Sequence, residues 1–106
     1  MKRLEEYENA YRKLWFDSAV EADGSLWFAA SNLNGIFKAD KKTGKSQFIT
    51  NFPQYPNYAV RLYIACTLVR RKIVFAPCNA KEISIYDIDK KELNTIPLDK
   101  RTVEHC

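Results

Sequence analysis

The feature that most limits how this chain can fold is an internal echo. At an offset of 47 positions Phe16 falls on Tyr63, Leu26 on Ile73, Phe28 on Phe75, Ala29 on Ala76 and Asn32 on Asn79. At an offset of 49, Phe37 falls on Tyr86 and Asp40-Lys41-Lys42 on Asp89-Lys90-Lys91. The two-residue difference fits an insertion in the turn after Asn79, where loops accept extra residues. A period of roughly 40–50 residues marks stacked repeat architectures, in which each unit buries a face against its neighbour.

Within each unit the pattern is strand and turn. Residues 16–22, 25–31, 36–40 and 45–50 read as strands. They are separated by Asp23-Gly24, Asn32-Leu33-Asn34-Gly35 and Lys41-Lys42-Thr43-Gly44. Asp-Gly between apolar runs is a strong hairpin signal, because both central residues of a type I′ turn need a positive φ. The second set of strands is expected at 62–69, 72–78, 83–89 and 93–98. Each set is a four-stranded antiparallel meander.

The second strands, LWFAA and IVFAP, are apolar at consecutive positions, as expected of strands covered on both faces. The fourth strands, KSQFIT and ELNTIPL, are more polar. Pro97 suits an outer edge, where no ladder donor is needed. Residues 1–14 differ: Leu4, Tyr7, Tyr11 and Leu14 recur at helical spacing among charged residues, which predicts a short amphipathic helix.

Units built as D-G-x-L-W-F followed by N-G-[IL]-F-x-x-D-x-x-T-G resemble blades of bacterial β-propellers of the kelch, NHL-like and sensor types. Asp23 to Phe28 and Asn34 to Gly44 carry the motif. The second unit departs from it: Arg70-Arg71 replaces Asp23-Gly24, and the Thr-Gly turn is lost. The resemblance implies an all-β fold of two four-stranded antiparallel blades after the helix. The expected layout is a helix over 1–14, blades at 15–50 and 62–98, a connector at 51–61 and a tail at 99–106. Two blades cannot close a ring, since propellers hold about four to eight. Further blades of a longer chain, or a homo-oligomer, would complete it.

Composition bears on function mostly by exclusion. The chain has 106 residues, 46% hydrophobic and 13% aromatic, enough for a buried core. The net charge of +4 is spread along the chain, and the one tight basic cluster is Arg70-Arg71-Lys72, so no nucleic-acid partner is expected. No apolar run is long enough for a membrane span. The N-terminus is too charged for a signal peptide, which makes the cytoplasm the default. Cys66, Cys78 and Cys106 form no zinc or disulfide framework, and free thiols suit a reducing compartment. The single His105 leaves no material for a His-based metal site or triad. No cofactor, metal or catalytic residue is assigned.

Ala39 to Ser46 fits a relaxed phosphate-loop pattern, but the β-like stretch that follows makes it a hairpin turn. Cys66 aligns with Ala19 and reads as an inert buried thiol. The connector holds Phe52, Tyr55 and Tyr58 and leads into Arg61; aromatics and Arg are what binding surfaces favour. Asp17 stands at the start of an inner strand, and Trp15 just before it could stack on a sugar. These six are the ligand-binding candidates. The expected function is a non-catalytic binding or interaction module, its partner a protein, a small molecule or a carbohydrate. Two alternatives stay open: a fragment of a propeller enzyme of lyase or hydrolase type, and a lectin-like self-assembling unit.

Overall fold

Eight short strands, each ended by a turn residue at positive φ or by a loop, form two separate sheets. The computed structural model describes residues 14–98. The strands are β1 (Ala19–Ala22), β2 (Ser25–Ala29), β3 (Ile36–Asp40), β4 (Ser46–Thr50), β5 (Tyr63–Val69), β6 (Lys72–Pro77), β7 (Glu82–Asp87) and β8 (Glu92–Pro97). They pair as β1-β2-β3-β4 and β5-β6-β7-β8, each sheet antiparallel throughout. The fold is therefore all-β. The helix expected over 1–14 lies outside the described residues except for Leu14, which carries no regular structure. Among the described residues no helix is long and apolar enough to cross a membrane.

The two sheets pair in register at matching positions. Ser25 faces Asp40 and Phe28 faces Phe37; at 47 residues further on, Lys72 faces Asp87 and Phe75 faces Ser84. The 49-residue offset expected for the third strand is thus corrected: Asp40 matches Asp87, not Asp89. The reason is turn chemistry. Asp40 Oδ1 accepts from the amides of Lys42 and Thr43 at 2.7 and 3.0 Å. Asp87 Oδ1 accepts from those of Asp89 and Lys90 at 3.0 and 2.9 Å. An Asp that caps its own turn fixes where the strand ends, so β7 stops at Asp87 instead of running to Asp89.

Turn shape is kept although turn residues change. Asp23 and Gly24 have φ of 54° and 78°, while Arg70 and Arg71 have 49° and 69°. Lys91, at 57°, holds the place of Gly44, at 74°. The Ala39–Ser46 segment is a β3–β4 hairpin, as its β-like flank requires.

The larger core lies between the sheets. Ala22, Trp27, Ala29 and Ile36 of the first sheet pack with Leu62, Tyr63, Ile73, Phe75 and Tyr86 of the second, and with Phe52 from the connector. Trp27 and Tyr86 rings lie 6.1 Å apart, and Phe52 sits 4.4 Å from Tyr63. A smaller cluster of Phe28, Ala30, Leu33 and Phe37, with Leu14, Ala19, Ala39 and Phe48 against it, covers the opposite face of the first sheet. β2 is accordingly buried on both faces, as its apolar run predicts. β6 is not: Ile73 and Phe75 are buried, but Val74 is half-buried and Ala76 exposed.

Candidate functional site

The loop Ser31–Asn34, between β2 and β3, gathers most of the candidate residues. The Ser31 amide donates to the Trp15 carbonyl at 2.6 Å, and the Ser31 carbonyl accepts from the Arg61 amide at 2.8 Å. The Ser31 hydroxyl donates to Asp17 Oδ2 at 3.1 Å. Asn32 Oδ1 accepts from the Trp15 amide at 3.2 Å. The Asn34 amide donates to the carbonyl of Asn57, beside Tyr58, at 3.0 Å. One loop thus brings Trp15, Asp17 and Arg61 around Ser31, with Tyr58 on the segment tied to its far end. Asp17 and Arg61 are exposed, Trp15 is 64% exposed and Tyr58 82%.

The other two candidates sit elsewhere. Phe52 is core, 1% exposed, with Phe75 5.9 Å away; it offers no surface to a ligand. Its placement follows from Asn34, whose Oδ1 accepts from the Phe52 amide at 2.8 Å. Asn34 Nδ2 donates to the carbonyls of Phe52, Tyr55 and Pro56 at 3.0, 2.9 and 3.2 Å. This single buried amide holds the connector down. Tyr55 is half-buried and committed to a network: its hydroxyl donates to Glu82 Oε1 at 3.0 Å and accepts from the Lys81 amide at 2.9 Å. Burial pushes its phenol above the usual value.

Tyr63 and Ser84 complete that network. The Tyr63 hydroxyl donates to Glu82 Oε2 at 3.0 Å and lies 2.6 Å from Ser84 Oγ. Burial, the largest influence, holds the Tyr63 phenol well above its ordinary range. With the chain Ser84–Tyr63–Glu82–Tyr55 satisfied, the cluster is structural.

Catalytic chemistry finds little material. Among the described residues no three His, Cys, Asp or Glu side chains stand close enough to hold a metal. Cys66 is half-buried, its amide accepted by Ser18 Oγ at 3.1 Å, and burial raises its thiol. A protonated thiol without a base is a poor nucleophile. Cys78 is disulfide-bonded. That corrects the expectation of a free thiol at Cys78, whereas Cys66 is free.

The sequence reading missed one concavity. A groove of about 370 Å³ runs between the sheets, lined by Trp27, Lys38, Phe48, Tyr86, Lys91 and Leu93 among others. Lys38 Nζ stands 5.2 Å from the Trp27 ring centre. Its walls come from β2, β3 and β4 on one side and β7, β8 and the turn between them on the other, so no local motif announces it. No protein-family model matches this chain, and no curated protein matches it significantly.

Proposed function

We propose that the chain is a non-catalytic interaction module made of two successive propeller-type blades, with its binding surface around the Ser31–Asn34 loop. The observation that supports this most is that the segments carrying exposed Trp15, Asp17, Arg61 and Tyr58 are all hydrogen-bonded to the one Ser31–Asn34 loop, the last through Asn57. An exposed indole, phenol, guanidinium and carboxylate carried on segments tied to the same loop suit recognition of a polar partner with flat apolar faces, such as a carbohydrate or a peptide. The blade reading is supported by the equal register of the two sheets and by the stacking of one upon the other.

The test is tryptophan fluorescence under titration with a panel of oligosaccharides and tyrosine- or acid-rich peptides. Trp27 is buried and its Nε1 donates to the Ala22 carbonyl at 3.1 Å, so Trp15 should carry any response. A saturable change lost in Trp15→Phe and weakened about tenfold or more in Arg61→Ala supports the site. Binding that survives both substitutions, with shifts confined to the groove beside Trp27, places the ligand elsewhere and sinks this reading.

A further inference from the structure

The groove between the sheets carries positive charge over an apolar floor. Trp27 and Tyr86, each 5% exposed, and Ile88, 8% exposed, make that floor. Lys38, on β3, stands on one wall, and Lys91, in the β7–β8 turn, on the other. Among the described residues no carboxylate lines the groove.

Neither lysine is neutralised by direct pairing among the described residues, whose ion pairs engage Lys41 and Arg71 instead. The carboxylate that feels Lys38 is Asp23, and it already takes two hydrogen bonds from Arg71, at 2.8 and 2.9 Å. Lys38 Nζ lies 5.2 Å from the centre of the Trp27 ring. The ring face attracts the ammonium and keeps it at the groove, but leaves its N–H donors open to an anion. Like charges on facing walls repel, and an anion set between them replaces that repulsion with two attractions.

We infer that this groove is a site for a small flat organic anion, an aryl carboxylate of one or two rings. The carboxylate sits between Lys38 and Lys91, with Gln47, exposed on the β4 wall, as a further donor. The ring lies on the floor beside the Lys38-capped indole, against Tyr86 and Ile88. Volume sets the size. Small-ligand pockets run from roughly 300 to 1,000 Å³, and this one, at about 370 Å³, is near the lower limit. That suits one or two fused rings better than an oligosaccharide. The inference goes beyond the Ser31–Asn34 surface. It shares none of Trp15, Asp17, Tyr58 and Arg61 and takes a different ligand, so either reading can fail alone.

The experiment is a proton–nitrogen NMR titration of the full chain with naphthoate, run beside naphthamide and acetate. Naphthamide keeps the rings and loses the charge, and acetate keeps the charge and loses the rings. Naphthoate should give saturating shifts at the Trp27 indole N–H and at the amides of Tyr86 and Lys91, with a Kd of about 1 mM or tighter. Naphthamide should bind about fivefold more weakly or worse, and acetate about tenfold or worse. These comparisons need only the parent protein, so they decide the matter even if a variant fails to fold. Lys38→Met and Lys91→Met keep the stems and remove the charges. Each should weaken naphthoate by about threefold or more and leave naphthamide unchanged. Trp15→Phe and Arg61→Ala, at the other surface, should leave naphthoate binding as it is. No saturation by about 10 mM overturns the inference. Equal affinity for naphthoate and naphthamide overturns it too, since it marks a cleft indifferent to charge. Shifts centred on Trp15 and Arg61 would give the anion to the Ser31–Asn34 surface and likewise overturn it.

Discussion

Arg71 donates two parallel hydrogen bonds to Asp23, at 2.8 and 2.9 Å, and so ties the β5–β6 turn to the β1–β2 turn. A third bond, at 3.0 Å, reaches Asp89. The residue that replaces the turn glycine of the first sheet thus takes the strained left-handed backbone and uses its side chain to clamp that first turn. The guanidinium beside Asp23 holds its carboxyl below the ordinary value of 3.8. In Arg71→Ala the Asp23 carboxyl should return toward that value, read by a carboxyl-detected NMR titration. Both partners are largely solvated, so the melting temperature at neutral pH should move little and salt should erase the carboxyl shift. An Asp23 titration identical in both proteins would show that the clamp does not persist in solution.

Acid stability should be governed by the two Asp-capped turns. Backbone amides of Thr43 and Lys42 lower the Asp40 carboxyl, and those of Lys90 and Asp89 lower Asp87. A depressed folded-state value means the unfolded chain binds the proton more readily. The stabilisation is therefore complete above the unfolded value near 3.8 and is lost as pH falls through the lower folded values. Urea midpoints should be level from about pH 7 to about pH 5 and decline below about pH 4. Asp40→Asn and Asp87→Asn keep the acceptor oxygen but cannot titrate, so each should flatten that decline. Curves parallel to the parent would exclude these turns as its origin.

How much of this was legible in advance depended on range. The first four strands could be read from apolar runs and from the Asp-Gly and Thr-Gly turns, which are local signals, and the second four from their echo 47–49 residues on. The offset in the third strand was misjudged because Asp89-Lys90-Lys91 matches Asp40-Lys41-Lys42 by letter, whereas the turn is set by which Asp reaches back to the amides. Phe52 reads as a binding-surface residue because the connector gathers aromatics and leads into Arg61; the Asn34 amide that draws it inward lies 18 residues away. The β2–β3 loop was readable as a turn, but its role in gathering Trp15, Asp17 and Arg61 needed three distant segments at once. The inter-sheet groove needed both sheets.

Lys91 sits at φ 57° where the matching turn has Gly44. A left-handed backbone disfavours side chains with a Cβ. Lys91→Gly should therefore stabilise the protein by about 0.5–1 kcal/mol, seen as a higher urea midpoint at unchanged slope. Gly44→Lys should do the reverse. A loss of stability in Lys91→Gly would mean that the lysine stem contributes more to the groove wall than its backbone costs.

Asn34 should be among the least replaceable surface-distant residues. Its side chain is 1% exposed and serves one amide and three carbonyls of the connector. Asn34→Ala removes all four partners at once and leaves the Phe52 amide buried without its acceptor. The expected cost is about 2–4 kcal/mol, read from chemical denaturation. Faster hydrogen exchange should be confined to residues 52–57. A uniform rise in exchange across both sheets would instead assign Asn34 to the global core.

Tyr63 and Ser84 form the sharpest test of how the second sheet repays its departures from the first. Ser84 is fully buried at the place that holds Phe37 in the first sheet, and Tyr63 stands where Phe16 stands. A buried hydroxyl is tolerable only with a partner, and here the Tyr63 hydroxyl supplies it at 2.6 Å while passing its own proton's bond to Glu82. Tyr63→Phe should cost about 1–3 kcal/mol, because Ser84 loses that partner in a dry core. Ser84→Ala should cost less, since Tyr63 keeps Glu82. The double variant should then be more stable than the two single costs add up to, with a coupling of about 1 kcal/mol in the cycle. Additive costs would mean the two hydroxyls are solvated independently, and that the second sheet does not close over them.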